Sequence, residues 1–270
     1  MARVVKLFIL GLPGSGKSAL SRYIMDYVNR KLVEAQGYQR WSAIRFNDYA
    51  ILNDMFHRDT EHKRFKFAKP GGFDVVDLKV FDEALEELEW KVNTFIASSE
   101  LDEQKLIIIE FSRNDYKKAF QLFNPSFLRD AHFLYLDTAL DECKQRVYQR
   151  TAHPMSEEDD YPVSDYIFEG YYCMDDWMQM KDNLTKDYGV NEKSVWTFHN
   201  DYPYETACLE IKPYVERMID DSIQEKSDKL EKPREELVLD KDIEDVKQEC
   251  LVGKRTDQII NEKEYAEMEH

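Results

Sequence analysis

Among 270 residues there are only four cysteines, no long apolar run and no excess of basic charge, and each shortage closes off a class of function. Cys143, Cys173, Cys208 and Cys250 stand far apart, with no CxxC pair and no Cys/His cluster at zinc-ligand spacing. They read as free thiols of a reducing compartment. The six histidines are scattered, with no HxxxH pair, so they are assigned no metal site. The longest apolar stretches, residues 4–12 interrupted by Lys6 and residues 106–109, fall well short of the ~20 residues a membrane-spanning helix needs. The first residues run straight into such a stretch, which leaves no room for a signal peptide and makes the cytoplasm the expected location. Net charge is −17, from 37 basic and 54 acidic residues, whereas a protein that grips long nucleic acid needs a basic face. The one local basic patch, His62, Lys63, Arg64, Lys66 and Lys69, reads as a solvated loop that could contact an anionic acceptor.

With 43% hydrophobic residues the chain can bury a full core. Residues 4–10 form a nearly continuous apolar run rich in β-branched side chains, the pattern of a central parallel strand buried on both faces. A helix is expected over 18–33, a second strand over 41–46, an amphipathic helix over 80–96, and further strands over 105–111, 131–136 and 194–200, the last followed by a helix over 204–219. Thr138 with Asp141 forms a weak capping box. Residues 50–75 read as mixed and polar, broken by Pro70-Gly71-Gly72. Strands alternating with helices at this spacing imply an α/β fold with a parallel sheet. From about residue 220 charged residues dominate, so residues 1–219 are expected to form the domain and 220–270 an acidic helical or partly disordered extension.

Gly11-Leu12-Pro13-Gly14-Ser15-Gly16-Lys17-Ser18 matches G-x-x-x-x-G-K-[ST] in full, between a strand and a helix as that motif requires. Glycine lets backbone N–H groups, including those of Gly11, Gly14, Ser15 and Gly16, curl round phosphate oxygens without Cβ clashes. Lys17 supplies a mobile charge for the β- and γ-phosphates, Ser18 a hydroxyl for Mg²⁺, and the helix start a positive dipole end. ATP and Mg²⁺ are therefore the expected cofactors. Glu110, at the end of the 105–111 strand, occupies the place of a second Mg²⁺-ordering acid. Asp48, after the second strand, can accept the proton of an acceptor hydroxyl, and an N-cap or turn is the competing role for it. Arg146 and Arg150 lie four apart on one helix face and can neutralise charge on a transferring phosphoryl group.

These residues together resemble the P-loop kinase superfamily of deoxynucleoside kinases, polynucleotide 5′-hydroxyl kinases and zeta toxins, over about residues 3–219. Asn47-Asp48-Tyr49 is similar to the acceptor-side Asp of polynucleotide kinases and zeta toxins, and Tyr135 to Arg150 to the lid arginine pattern of these kinases. The resemblance implies a P-loop NTPase three-layer sandwich of about five parallel strands, with the P-loop strand central and a lid near residues 146–180. It also implies a phosphate or acceptor contact for Arg113 and a place for Asn200 beside the base. Where deoxynucleoside kinases carry Glu-Arg-Ser, this chain has Glu110-Phe111-Ser112-Arg113, and acidic Glu157-Glu158-Asp159-Asp160 replaces their Arg-rich lid.

The leading expectation is transfer of the γ-phosphate of ATP to a hydroxyl of a small acceptor: a nucleoside, a nucleotide sugar or a short nucleic-acid 5′ end. The alternative is an ATPase or nucleotide switch whose protein partner docks on the acidic extension or on the aromatic segment 161–180. Aromatics at that density are more usually core.

Overall fold

The computed structural model describes residues 3–35, 41–68, 72–99, 104–152 and 163–231. The chain divides into two units, residues 1–222 and 223–270. Of the second, only the last turns of one helix fall among the described residues, so the helix expected over 204–219 runs on to 231; the rest of the acidic extension, Cys250, Lys69 and the acidic stretch at 157–160 lie outside them.

Seven strands and nine α-helices follow the chain among the described residues. They are β1 (Arg3–Gly11), α1 (Lys17–Ala35), β2 (Trp41–Asn47), α2 (Asp48–Arg58), β3 (Phe65–Phe67), β4 (Phe73–Val75), α3 (Lys79–Ala97) and β5 (Gln104–Glu110). Then come α4 (Tyr116–Gln121), α5 (Pro125–Arg129), β6 (Ala131–Asp137), α6 (Leu140–Ala152), α7 (Asp165–Gly170), α8 (Trp177–Tyr188), β7 (Val195–His199) and α9 (Tyr204–Glu231). Five strands make one parallel sheet in the order β2-β5-β1-β6-β7, so the P-loop strand is central as expected. The reason lies in the side chains. β5, with Leu106, Ile107, Ile108 and Ile109 all at 0% exposure, tolerates only cover on both faces.

Phe8 and Leu10 point into the larger core, where Phe8 stacks on Phe133 at 4.9 Å and meets Phe111, Phe120, Phe123 and Phe127 edge-on. Alternation sends Leu7 and Ile9 to the opposite face, also fully buried. Helices cover the sheet on both sides, an α/β P-loop NTPase three-layer sandwich.

Residues 50–75, expected to lack regular structure, instead hold α2 and the antiparallel hairpin β3–β4. Polar composition hid an aromatic cluster: Phe56 stacks on Phe73 at 5.0 Å and meets Phe65 and Phe67 edge-on. Phe65, read within a solvated basic loop, is fully buried there. Helix α2 starts where it does because Asn47 is its N-cap, its side chain accepting from the Ala50 N–H at 2.8 Å. Thr138 is turned to the P-loop, its hydroxyl 3.5 Å from the Ser15 carbonyl. No helix among the described residues is long and apolar enough to cross a membrane.

Candidate active site

The carboxyl ends of β1, β2 and β5 open onto a cavity of about 510 Å³, lined at one end by the P-loop and α6 and at the other by α2, β4 and α3. Ligands of open α/β sheets bind at this edge.

At the phosphate end the P-loop is wedged between neighbours. Gly14 has φ +85°, and a Cβ there would stand 2.3 Å from the Cys143 carbonyl oxygen on α6. Gly16 has φ +98°, and a Cβ there would stand 2.5 Å from the Asn200 side-chain nitrogen. Both positions therefore need glycine twice over, for backbone conformation and for space. Gly11 donates its N–H to the Tyr116 hydroxyl at 3.0 Å, and Ser15 is buried, its N–H bonded to Leu12 O at 3.0 Å.

Lys17 Nζ donates to the carbonyls of Gly11 and Leu12, each at 2.8 Å. Burial pushes its ammonium down to about 8, against the pull of the Glu110 carboxylate and with help from the nearby charge of Arg150. Ser18 Oγ donates to Glu110 Oε2 at 3.1 Å, so β5 and α1 bring the two expected metal ligands together. Glu110 Oε1 is buried without a hydrogen-bond partner, 3.7 Å from the Arg45 guanidinium. A hydroxyl beside an incompletely satisfied carboxylate fits Mg²⁺, which keeps most of its waters and takes phosphate oxygens for the rest.

Arg146 and Arg150 both line the cavity from α6. Arg146 is held by Glu142 at 2.8 Å and by the Asn200 carbonyl at 3.0 Å.

One expected role needs correction. Arg113, expected to hold acceptor or phosphate, is 3% exposed and does not line the cavity. Its guanidinium donates to Asp48 Oδ2 at 2.5 Å and to the carbonyls of Ser112 and Phe81 at 2.6 Å each. It is a positioning residue: three fixed acceptors lock it, and it in turn locks Asp48. Asn200, expected beside the base, donates its amide to the Ser15 carbonyl at 2.6 Å and so braces the P-loop. Asp48 itself faces the cavity, as the first residue of α2.

Sequence reasoning gave no role to three residues of the site. Arg45, beside Glu110, is the charge in an otherwise apolar strand end, and that mismatch was a usable signal. Arg22 lines the cavity from α1, one turn beyond Ser18. Tyr116 supports the P-loop from α4, and its backbone N–H donates to Asp176 at 2.5 Å. Of the aromatics at 161–180, Phe168 and Trp177 are core at 0% exposure, Tyr172 lines the cavity, Tyr166 is exposed and Tyr161 lies outside the described residues.

No protein-family model and no curated protein matches the sequence. Among solved structures the chain is similar to a shikimate kinase from Acinetobacter baumannii in complex with shikimate, at 11% identity and TM-score 0.40, over 81% of this chain and 94% of that one. A gluconokinase from Sinorhizobium meliloti matches at 14% identity and TM-score 0.42, over 83% and 99%. Chaetomium thermophilum Kti12 in complex with ADP-AlF3 matches at 14% and 0.46, over 80% and 97%. At such values nothing about substrate passes from them to this chain. The chain's own motif in its strand–turn–helix setting, the parallel order around β1 and the Ser18–Glu110 pair give it the α/β fold of a P-loop NTPase.

Proposed function

We propose that this protein is an ATP-dependent kinase that transfers the γ-phosphate to a hydroxyl of a small acceptor. The observation that carries the proposal is a single cavity with phosphate-binding groups at one end and an oriented carboxylate, Asp48, facing it beyond the P-loop. A hydrolase or switch needs room only for water at that place.

The P-loop amides and Lys17 would hold the β- and γ-phosphates, and Lys17 is already poised on the Gly11 and Leu12 carbonyls. Ser18 and Glu110 would hold Mg²⁺, which when bound would neutralise phosphate charge. Asp48, fixed by Arg113, accepts a hydrogen bond from the acceptor hydroxyl and receives its proton as transfer proceeds. Arg146 and Arg150 face the same space and would balance charge on the moving phosphoryl group. Catalysis here is positioning and electrostatics.

The test is ATP consumption with and without pooled acceptors, following inorganic phosphate and phosphorylated product separately, with Lys17→Ala as the control. Acceptor-dependent ADP formation that Lys17→Ala abolishes supports the kinase. Acceptor-independent phosphate release, or binding without turnover, replaces it with the switch.

A further inference from the structure

The end of the cavity beyond Asp48 is aromatic, and its rings are fixed by partners of their own. Tyr49 of α2 stacks on Phe73 of β4 at 5.5 Å with planes 20° apart, and Phe81 of α3 stacks on Tyr171 at 4.9 Å and 27°. Leu52, Val75 and Tyr172 complete the wall, all buried yet lining the cavity. Charges on this side are matched. Asp48 pairs with Arg113 at 2.5 Å, Asp74 with Lys66 at 3.9 Å and Asp54 with Lys91 at 3.9 Å. The cations of the cavity come instead from the phosphate side: Lys17 and Arg22 from α1, Arg146 and Arg150 from α6, and Arg45 beside Glu110.

From this division, and resting on the kinase reading above, we propose that the acceptor is a neutral alcohol carrying a flat, partly apolar ring. Three physical reasons converge on it. A preformed wall of rings rewards a flat face with little ordering cost. An acceptor charge brought against that wall would be desolvated where the nearby acids already have counter-ions. Asn53 and Ser112, which also line the cavity, offer the few directed hydrogen bonds that ring heteroatoms can use. The hydroxyl to be phosphorylated then reaches Asp48, where the ring wall meets the phosphate end.

The experiment uses the full chain with matched acceptor sets: nucleosides and hydroxymethyl heteroaromatics, the same compounds bearing a carboxylate or phosphate, and open-chain polyols. Product is read by mass spectrometry, and binding by saturation-transfer NMR on protein loaded with a non-hydrolysable ATP analogue. The expected result is turnover of the neutral ring compounds in preference to their charged counterparts and to polyols. Tyr49→Leu should raise acceptor KM about two- to tenfold while leaving ATP KM nearly unchanged. Preference for charged or open-chain acceptors overturns the proposal, and that arm needs no variant to fold. An unmoved acceptor KM in folded Tyr49→Leu overturns it too. Ring compounds that bind the loaded protein without giving any phosphorylated product would overturn the kinase reading but support the ring site. No binding of any ring compound to the loaded protein would overturn the ring site itself.

Discussion

At the phosphate end of the cavity, residues 11–18 supply the loop, the lysine and the hydroxyl within one strand–turn–helix. At the acceptor end the wall comes from α2, β4, α3, the segment after β5 and Tyr172, which are scattered over more than a hundred residues. The first end works through backbone amides and glycine geometry, so its chemistry is written locally. The second works through side chains that meet only when the domain has folded, and the carboxylate proposed to act there, Asp48, depends on a buried partner 65 residues away. Phosphate binding should therefore survive changes at the acceptor end, whereas acceptor chemistry should respond to packing as well as to the site.

The largest effect tests the local end. Lys17→Ala removes the charge that faces the β- and γ-phosphates, and turnover should fall at least about 10³-fold with every acceptor. Residual turnover near the wild-type level would break the comparison at its root. The next tests whether the ends separate. Asp48→Asn should lower phosphoryl transfer about 10²- to 10⁴-fold while ATP affinity stays within about twofold. It should also cost stability, about 1–3 kcal/mol, because the buried Arg113 loses its counter-charge and keeps only a neutral acceptor. ATP titration and thermal unfolding of the same preparation check both. Equal losses in ATP affinity and transfer would show that the ends are one unit.

That locality also governed what could be read from the chain beforehand. Phosphate-end residues were legible because Gly14, Gly16, Lys17 and Ser18 are constrained by neighbours in sequence, and β1 and β5 because continuous apolar runs have few other uses. Asp48 could be named because it is a carboxylate directly after the end of a strand, a local feature, although the helix that it opens was not foreseen. Arg113 could not be placed, since nothing near it in sequence tells that its acceptors are Asp48 and the Phe81 carbonyl. Asn200 could be singled out, but not its partner: its amide braces Ser15 across 185 residues. The hairpin β3–β4 escaped because three-residue strands carry almost no periodicity, and ring-on-ring packing holds it.

Tyr116 joins the local end to the scaffold, and its removal should give a smaller loss. Tyr116→Phe deletes only the oxygen that accepts the buried Gly11 N–H, which should cost about 1–3 kcal/mol in denaturant unfolding. Because the orphaned amide lies in the P-loop, nucleotide affinity should weaken about tenfold or less, with acceptor KM unchanged. A stability loss with unaltered nucleotide affinity would make Tyr116 a core residue only.

The smallest effect lies away from both ends and separates fold from site in any pH profile. His132 begins β6, at the opposite edge of the sheet from the cavity, and burial drives its pKa down to about 4 although Asp221 pulls the other way. Its ordinary value is 6.5, so between 6.5 and 4 the unfolded chain takes up a proton that the folded one refuses. Stability from this group is complete above 6.5 and drains away as pH falls toward 4. The full shift would be worth about 3 kcal/mol, and partial solvent contact reduces the expected loss to about 1–2 kcal/mol. His132→Gln, which cannot titrate, should show a shallower fall in unfolding free energy over that window, with unchanged nucleotide affinity at neutral pH. If wild type and variant lose stability in parallel, the acid sensitivity of the fold belongs to other groups.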